Sequence, residues 1–255
     1  MESHFKEKVA IVTGGGSGIG KAACMIFSKK GAKVVVVDIN SDNGNQTVAE
    51  IESEGGEAVF LQTDVSKASE VKHMIDGTIA KFGRIDCAFN NAGIEGVQGI
   101  LTHEYEEQVW DRVLGVNLKG VWLCMKYEIP QMLKQGSGSI VNTSSIAGLV
   151  GSIAAGAGYA ASKHGVIGLT KTAALENAKY GIRVNVICPG GAYTPMTERI
   201  ALGLPGFKER FLDKEPIGRF CSPEEIAAPA VWLCSDNASF VTGHAMSVDG
   251  GFVCQ

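Results

Sequence analysis

The sequence predicts an α/β fold in which a parallel sheet is covered by helices on both faces. Short apolar runs of β type alternate with stretches of helical periodicity along the chain, which is typical of a parallel sheet. No tandem repeat, low-complexity tract or linker divides the 255 residues, of which 45% are hydrophobic. This composition can bury one large core, so we expect a single domain over residues 1–255.

Seven segments are predicted to be strands, and helices are expected in the intervals between them. The first two strands, 9–13 and 33–38, are the clearest, because each is a short apolar run of β-branched residues beside a glycine. The complete set of predicted strands is 9–13, 33–38, 58–63, 85–90, 139–144, 183–188 and 245–248.

A glycine-rich turn follows the first predicted strand. Residues 13–20 (TGGGSGIG) stand before a helical pattern, where glycines let backbone amides approach a pyrophosphate at the helix N-terminus. Asp38 ends the next strand about 20 residues after the turn, where a carboxylate accepts hydrogen bonds from an adenosine ribose. Because this carboxylate would repel a 2′-phosphate, the pattern predicts NAD over NADP. The alternative is that Asp38 merely ends a strand.

Tyr159 and Lys163 are four residues apart in a predicted helix. This spacing places a phenol and an ammonium on one helix face. A free phenol titrates near pH ~10, but a nearby positive charge stabilises the phenolate and lowers the pKa of the tyrosine. The pair is therefore a candidate general acid and base. The same spacing also occurs on solvated helix faces, so the pair alone does not establish catalysis.

Taken together, the motifs resemble those of the short-chain dehydrogenase/reductase family along nearly the whole chain. The glycine spacing Gly-x-x-x-Gly-x-Gly at 14–20 is similar to the family's cofactor turn. The resemblance implies a Rossmann-type doubly wound parallel sheet of about seven strands. The other similar segments occur in the family's order: 90–93 (NNAG), Asn117 in GVNL, Ser144-Ser145, Tyr159, Lys163, 189–195 (PGGAYTP) and 248–251 (VDGG).

The resemblance implies catalytic roles for four residues. Tyr159 would carry the proton, Ser145 would hydrogen-bond the substrate oxygen, and Lys163 would lower the pKa of Tyr159 and bind the nicotinamide ribose. Asn117 would lie where its helix is distorted and would help to link Lys163 to solvent through a water; a solvated helix position is the alternative. Ser145 precedes Tyr159 by fourteen residues instead of about thirteen, and the Gly-Ala-rich stretch 151–158 can absorb the extra residue.

The resemblance also implies a set of contacts to NAD at the carboxyl ends of the strands. Thr194 and the backbone of residues 187–190 would fix the nicotinamide carboxamide. Asp64 would hydrogen-bond the adenine amino group, although an Asp that only ends a strand is an open alternative. The full predicted set is Gly14, Ser17, Gly18, Ile19, Gly20, Asp38, Ile39, Asp64, Val65, Asn91, Ala92, Gly93, Tyr159, Lys163, Pro189, Gly190, Thr194 and Met196.

The family's substrate pocket implies that residues 191–217 form a lid. Such an apolar lid excludes water and favours a small apolar or cyclic secondary alcohol or diol. Glu95 and Tyr193 are candidates for contacts to a second oxygen; sugar alcohols, sterols and acyl-linked hydroxyls remain open. The apolar lid residues are Met196, Ile200, Leu202, Leu204, Phe207 and Phe211.

Two other functions remain open at this point. An NADPH-dependent ketoreductase of biosynthesis needs a cation for the 2′-phosphate, and Lys21 is the only nearby one in sequence, since Ile39 and Asn40 carry no charge. A dinucleotide-binding sensor or scaffold without turnover usually lacks the Tyr or Lys of the pair, whereas this chain has both.

Charge and composition exclude several classes of partner. The net charge of −4 gives no indication of a basic face that would bind nucleic acid or acidic membranes. Residues 1–8 have no apolar core for a signal peptide, and no apolar run reaches the roughly 20 residues that span a bilayer. The seven cysteines and five histidines show no metal-ligand spacing, so no metal is predicted. We expect a soluble cytoplasmic protein.

The sequence also predicts self-association. Stretches 105–133 and 159–180 carry Val109, Val113, Val116, Val121, Leu123, Val166, Leu169, Ala173 and Leu175, more than one buried stripe requires. In the family the corresponding helices pair across a two-fold axis, and the C-terminal segment, here 247–255, forms a second contact. These two interfaces predict a homotetramer, with a dimer as second choice; the alternative is that these residues simply cover the sheet.

Overall fold

Seven parallel strands form one sheet in the order β3-β2-β1-β4-β5-β6-β7. The computed structural model describes residues 5–254. Residues 1–4, part of the stretch 1–8 in which no signal-peptide core is predicted, and residue 255 of the predicted C-terminal contact lie outside the described residues. Each strand lies within two residues of its predicted bounds, and the strand order confirms the Rossmann-type fold. The strands are β1 (Val9–Thr13), β2 (Lys33–Asp38), β3 (Ala58–Gln62), β4 (Cys87–Asn90), β5 (Gly138–Thr143), β6 (Ile182–Pro189) and β7 (Ala245–Val248).

Helices occupy most of the intervals between the strands. Those described within residues 5–254 are α1 (Gly18–Lys29), α2 (Ser41–Ser53), α3 (Ala68–Phe82), α4 (Glu107–Leu114), α5 (Gly120–Gln135), α6 (Ala157–Asn177), α7 (Pro195–Gly203), α8 (Phe207–Leu212) and α9 (Pro223–Cys234).

The core has two halves, one on each face of the sheet. Side chains of β1 alternate between them, as a strand requires. Val9 and Ile11 pack with buried residues of α3, α5 and α6, whereas Ala10 and Val12 pack with buried residues of α1, α2 and α9. All of β1 is therefore buried, which explains why it appears in the sequence as a continuous apolar run.

The long helix predicted over 105–133 is divided in the structure. Its first part is α4, its second part is α5, and a π-helical turn at Gly115–Lys119 joins them. Asn117 lies in this turn, in agreement with the distortion that the family resemblance implies. The helix predicted over 159–180 is α6, followed by a 3₁₀ turn at Ala178–Tyr180.

Most of the apolar residues that predicted self-association are core residues of a single chain. Val113, Val121 and Leu123 are buried, and so are Val166 and Ala173, because both faces of the sheet need covering. Leu175 alone of the predicted set is strongly exposed, at 85%. The structure adds exposed side chains that the prediction did not name: Trp122, Leu133 and Tyr180 near these helices, and Trp232 and Phe240 closer to β7.

Two further expectations concern membranes and metals. Within residues 5–254, no helix has both the length and the apolar character that crossing a bilayer demands. In the same part of the chain, His, Cys, Asp and Glu side chains do not gather in groups that would hold a metal ion.

Candidate active site

A cleft of about 1180 Å³ lies at the carboxyl ends of β1, β2, β4, β5 and β6. Most of the predicted site residues line it, including Ser145, Tyr159 and Lys163. Gly20 and Asn117 do not line it, but each contacts a residue that does: Gly20 lies against Gly14, and Asn117 is bonded to Ile94. A pocket for one drug-sized ligand is roughly 300–1,000 Å³. The cleft therefore has room for a dinucleotide together with a small substrate.

The glycine turn after β1 is held by backbone contacts that leave little space. Gly14 has a φ of +67°, which favours glycine, and a Cβ on Gly20 would overlap the carbonyl oxygen of Gly14. The hydroxyl of Thr13 accepts hydrogen bonds from the backbone N–H groups of Asn91 (3.0 Å) and Ala92 (3.1 Å). Gly20 thus permits close packing of the turn, and Thr13 joins it to the loop after β4.

The Asp38 carboxylate is fixed beside the glycine turn. One oxygen accepts the backbone N–H of Gly16 and the other accepts that of Asn40, both at 2.9 Å. A negative charge is therefore placed at the end of β2, on the wall of the cleft. Lys21, the cation considered for a 2′-phosphate, is instead paired with Glu50, with 2.7 Å between Nζ and Oε1.

Ser145, Tyr159 and Lys163 meet at the centre of the cleft. The Ser145 hydroxyl is hydrogen-bonded to Tyr159, whereas the buried Ser144 donates its hydroxyl to the backbone oxygen of Lys163 at 2.8 Å. This difference favours Ser145 over Ser144 as the residue that faces a substrate. The Lys163 ammonium is buried, donates to the backbone oxygen of Thr143 at 2.9 Å, and lies 5.4 Å from the centroid of the Tyr159 ring.

Burial is the largest influence on the pKa values of this cluster. Burial raises the pKa of Tyr159 to about 12, and the hydrogen bond from Ser145, which lowers it, is the smaller effect. Burial also lowers the pKa of Lys163 to about 8. Lys163 is not among the causes of this shift, and its ammonium donates to the backbone of Thr143; the lowering of the Tyr159 pKa by Lys163 stays a prediction.

Asn117 supports the cluster from the π-helical turn. Its side chain makes a reciprocal pair with the backbone of Ile94: Oδ1 accepts the N–H at 2.8 Å and Nδ2 donates to the carbonyl at 2.9 Å. Nδ2 also donates to Ser162 Oγ at 3.3 Å. Asn117 is fully buried, so a solvated helix position is excluded. Its amide fixes the start of the loop that follows Gly93.

A buried polar cluster, which sequence reasoning missed, lies behind β4. Asn90 Nδ2 donates to Glu128 Oε2 and to Asn142 Oδ1, both at 3.1 Å, and Asn142 Nδ2 donates to Thr170 Oγ1 at 2.9 Å. Burial raises the pKa of Glu128 to about 7. The cluster ties α5 and α6 to the ends of β4 and β5. The signal was a carboxylate at helical spacing among apolar residues, since Val121, Cys124 and Met132 of α5 are also buried.

The predicted lid folds as the two short helices α7 and α8. Of its apolar residues, Leu202 is 86% exposed and does not line the cleft, whereas the other five do. Tyr193, predicted as a polar contact, packs against the ring of Phe220 and is also absent from the cleft wall. Glu95 does line it, and its carboxylate accepts two bonds from Arg199. Phe252 completes the wall through its stack with Phe211.

Comparisons with known proteins agree with this geometry. The family model described as enoyl-(acyl carrier protein) reductase matches residues 14–253. The chain is 44% identical over 251 residues to a 2,5-dichloro-2,5-cyclohexadiene-1,4-diol dehydrogenase of Sphingobium indicum, covering 98% of both chains. It is 44% identical over 253 residues to a cyclohexanol dehydrogenase of an Acinetobacter species, covering 99% of this chain and 97% of the relative.

A solved structure gives the same result at the level of the fold. The crystal structure of a levodione reductase superposes with a TM-score of 0.93 at 39% identity, covering 97% of this chain and 98% of that one. Sequence, sheet order and the position of the cleft all lead to one conclusion: the chain belongs to the short-chain dehydrogenase/reductase family of oxidoreductases that act on CH–OH groups.

Proposed function

We propose that the protein is an NAD-dependent oxidoreductase that interconverts a small cyclic secondary alcohol or diol and its ketone. The observation that carries this proposal is the cluster of Ser145, Tyr159 and Lys163 in a cleft whose other end holds the Asp38 carboxylate. The cluster provides the groups for proton transfer at an alcohol oxygen. Asp38 provides acceptors for ribose hydroxyls and repulsion against a 2′-phosphate.

The residues present fit a dinucleotide. The crowded glycine turn leaves backbone N–H groups at the N-terminus of α1, which suits a pyrophosphate. Thr194 lies close to this turn, since a Cβ on Gly18 would be 3.2 Å from its Cγ2. When bound, NAD would accept a hydride from the substrate and would bring a positive ring charge near Tyr159.

The protein's own side chains transfer the proton and stabilise the charge that develops on the substrate oxygen. In the reductive direction Tyr159, protonated at neutral pH because of its raised pKa, donates its proton to the ketone oxygen. Ser145 donates a hydrogen bond to the same oxygen and stabilises the charge that develops there. In the oxidative direction the phenolate of Tyr159 takes the hydroxyl proton, and Lys163 contacts ribose hydroxyls. We infer that the positive charges of Lys163 and of bound NAD would stabilise this phenolate, so that Tyr159 first releases its own proton to solvent.

A cyclic substrate is favoured by two observations. The substrate half of the cleft is lined by Ile200, Leu204, Phe207 and Phe211, whose apolar surfaces suit a compact ring. Two relatives at 44% identity bear the names of a cyclohexanol dehydrogenase and a cyclohexadienediol dehydrogenase. Glu95, on the cleft wall, provides a carboxylate near which a second oxygen of a diol would fit.

We also propose that the protein is a cytoplasmic homotetramer, with a dimer as the second choice. Trp122, Leu175 and Tyr180 form exposed apolar surface near α5 and α6, and Trp232 and Phe240 do so nearer to β7. Two separate patches permit two self-complementary interfaces. Light scattering at micromolar concentration tests this, since the mass of a single chain would contradict both assemblies.

The experiment that tests the proposed function compares the two cofactors on one substrate panel. Purified protein is assayed with NAD and with NADP against cyclohexanol, cyclic diols and acyclic secondary alcohols, and the absorbance of the reduced cofactor is followed. We expect kcat/KM at least about tenfold higher with NAD, a difference of about 1.4 kcal/mol. The variant Asp38→Asn, which keeps the side-chain size, is expected to lose most of this preference.

The same panel separates the alternatives. A clear preference for NADP would support the biosynthetic ketoreductase and refute the role given to Asp38. Binding of either dinucleotide without turnover of any alcohol or ketone would support a sensor or scaffold. Faster turnover of acyclic than of cyclic alcohols would refute the proposed substrate class while leaving the reaction type intact.

A further inference from the structure

One ion pair crosses the substrate half of the cleft between elements far apart in sequence. Arg199 of α7 donates from Nε to Glu95 Oε1 at 2.7 Å and from an Nη to Oε2 at 3.1 Å. Such a bidentate pair fixes orientation as well as distance. Glu95 belongs to the loop after β4, immediately after Ile94, whose backbone Asn117 holds. The pair therefore joins α7, a helix without buried residues, to a fixed part of the active site.

The helix α7, which carries Arg199, is not anchored by residues in the core. Neither α7 nor α8 contains a buried residue. α8 is held by its aromatic rings, because Phe211 stacks on Phe220 and Phe252 at 5.3 Å between centroids. α7 has no aromatic residue, and among the described residues the side chain of its Thr194 cap bonds within the first turn of the helix, to Thr197. The contact to Glu95 is thus the polar link between α7 and the loop after β4.

Glu95 is suited to be the fixed half of this link. Its side chain is 19% exposed, against 58% for Arg199. Partial burial raises its pKa, but the hydrogen bonds from Arg199 and the charges of Arg199 and Arg112 outweigh burial and leave the pKa below its ordinary value. Arg112 also lines the cleft, from α4. It keeps a positive charge near Glu95 whether or not Arg199 is in contact.

We propose that Glu95 and Arg199 are a positioning pair that latches α7 over bound substrate, so that substrate affinity depends on this pair more than NAD affinity does. The inference rests on the proposed function, because the substrate half of the cleft is identified through it. Opening of the pair would release the C-terminal part of α7 for substrate entry, and closing would bring Ile200 and Leu204 against the substrate and exclude water.

The test uses a double-mutant cycle with two independent measurements. The variants are Glu95→Gln, Arg199→Gln and the double variant, with Glu198→Gln as matched control, since Glu198 is an exposed carboxylate on the same helix. Hydrogen exchange of the peptide covering 195–212 is measured on the protein without added ligands. Steady-state kinetics with cyclohexanol and an NAD titration follow on the same samples.

Both single variants are expected to exchange faster over 195–212 and to raise KM for the alcohol roughly three- to fivefold, the size expected of a partly exposed ion pair. The double variant should show the same exchange rate and the same KM as each single variant, because each single substitution already removes the contact. The dissociation constant of NAD and the kcat should each change by less than about twofold. A twofold change corresponds to about 0.4 kcal/mol, which is close to the error of such measurements. Glu198→Gln should leave every measurement unchanged.

Three outcomes would overturn the proposal. Unchanged exchange in both single variants would show that the pair does not hold α7. Additive effects in the double variant would show that the two side chains act separately. A raised KM in Glu95→Gln alone, with exchange unaltered, would make Glu95 a direct substrate ligand instead. If no alcohol is turned over at all, the proposed function fails, and the exchange measurement still decides whether the pair holds the helix.

Discussion

Replacing Glu128 by Gln should stabilise the protein at neutral pH and not in acid. The Glu128 side chain is fully buried, and burial raises its pKa from 4.5 to about 7. Between these two values the unfolded chain releases the proton and the folded chain keeps it, so unfolding becomes easier as pH rises. Each pH unit in this window costs about 1.4 kcal/mol, which makes about 3 kcal/mol over the whole window. Above about pH 7 the native chain has lost all of this stability, and a further rise in pH has no additional effect through Glu128.

The glutamine side chain avoids this loss because it stays neutral at every pH. Its oxygen can accept the bond that Asn90 now donates to Glu128, and its N–H₂ can donate to Asn90 Oδ1, which is buried without a partner in the described structure. The stability advantage of Glu128→Gln over the native chain should therefore grow by roughly 2–3 kcal/mol between about pH 5 and about pH 7.5.

Thermal unfolding at one protein concentration measures this advantage. For a chain of this length the growth corresponds to roughly 5–10 °C in the difference between the two melting temperatures. Glu52→Gln, which removes an exposed carboxylate from α2, serves as control and should show a difference that is nearly independent of pH. The reasoning would be refuted if the melting temperatures of Glu128→Gln and the native chain differed by the same amount at both pH values. Glu128 would then have its ordinary pKa in the folded state.

Three further substitutions test the active site itself. Lys163→Met should weaken NAD binding and remove from the pH–rate profile the step near pH 8 that the lowered pKa of Lys163 predicts; an unchanged profile would show that Lys163 does not act on proton transfer. Ser145→Ala should lower kcat roughly 100-fold with little change in NAD affinity, and retention of the native kcat would remove Ser145 from the catalytic set. Gly20→Ala should abolish NAD binding measured by fluorescence titration, since the new Cβ overlaps Gly14, and native affinity would contradict the described packing of the turn.

The strands could be predicted because a strand buried on both faces has a continuous apolar run in its own sequence. Residues 9–13 and 33–38 are nearly continuous apolar runs, as expected of strands buried on both faces, and they coincide with β1 and β2. The division of the 105–133 helix was indicated only by the family resemblance. At this division Asn117 is bonded to Ile94, and no periodicity within the helix indicates a contact to a residue 23 positions away.

Other features of the site depend on contacts that form only in the folded chain. Glu95 and Arg199 are 104 residues apart, and nothing near either residue indicates the pair. The helices α7 and α8 lack buried residues, so an apolar stripe could not indicate them. The pKa of Tyr159 was predicted from the neighbouring charge alone, whereas the folded chain adds the larger effect of burial.

The most direct test of the proposed reaction is the Tyr159→Phe variant, which removes the hydroxyl and keeps the ring. Its kcat for oxidation of cyclohexanol with NAD is compared with that of the native chain, and its NAD affinity is measured by titration in parallel. If Tyr159 carries the proton, kcat should fall at least roughly 100-fold while NAD affinity stays within about twofold. A variant that keeps most of the native kcat would contradict the assignment of Tyr159 as acid and base.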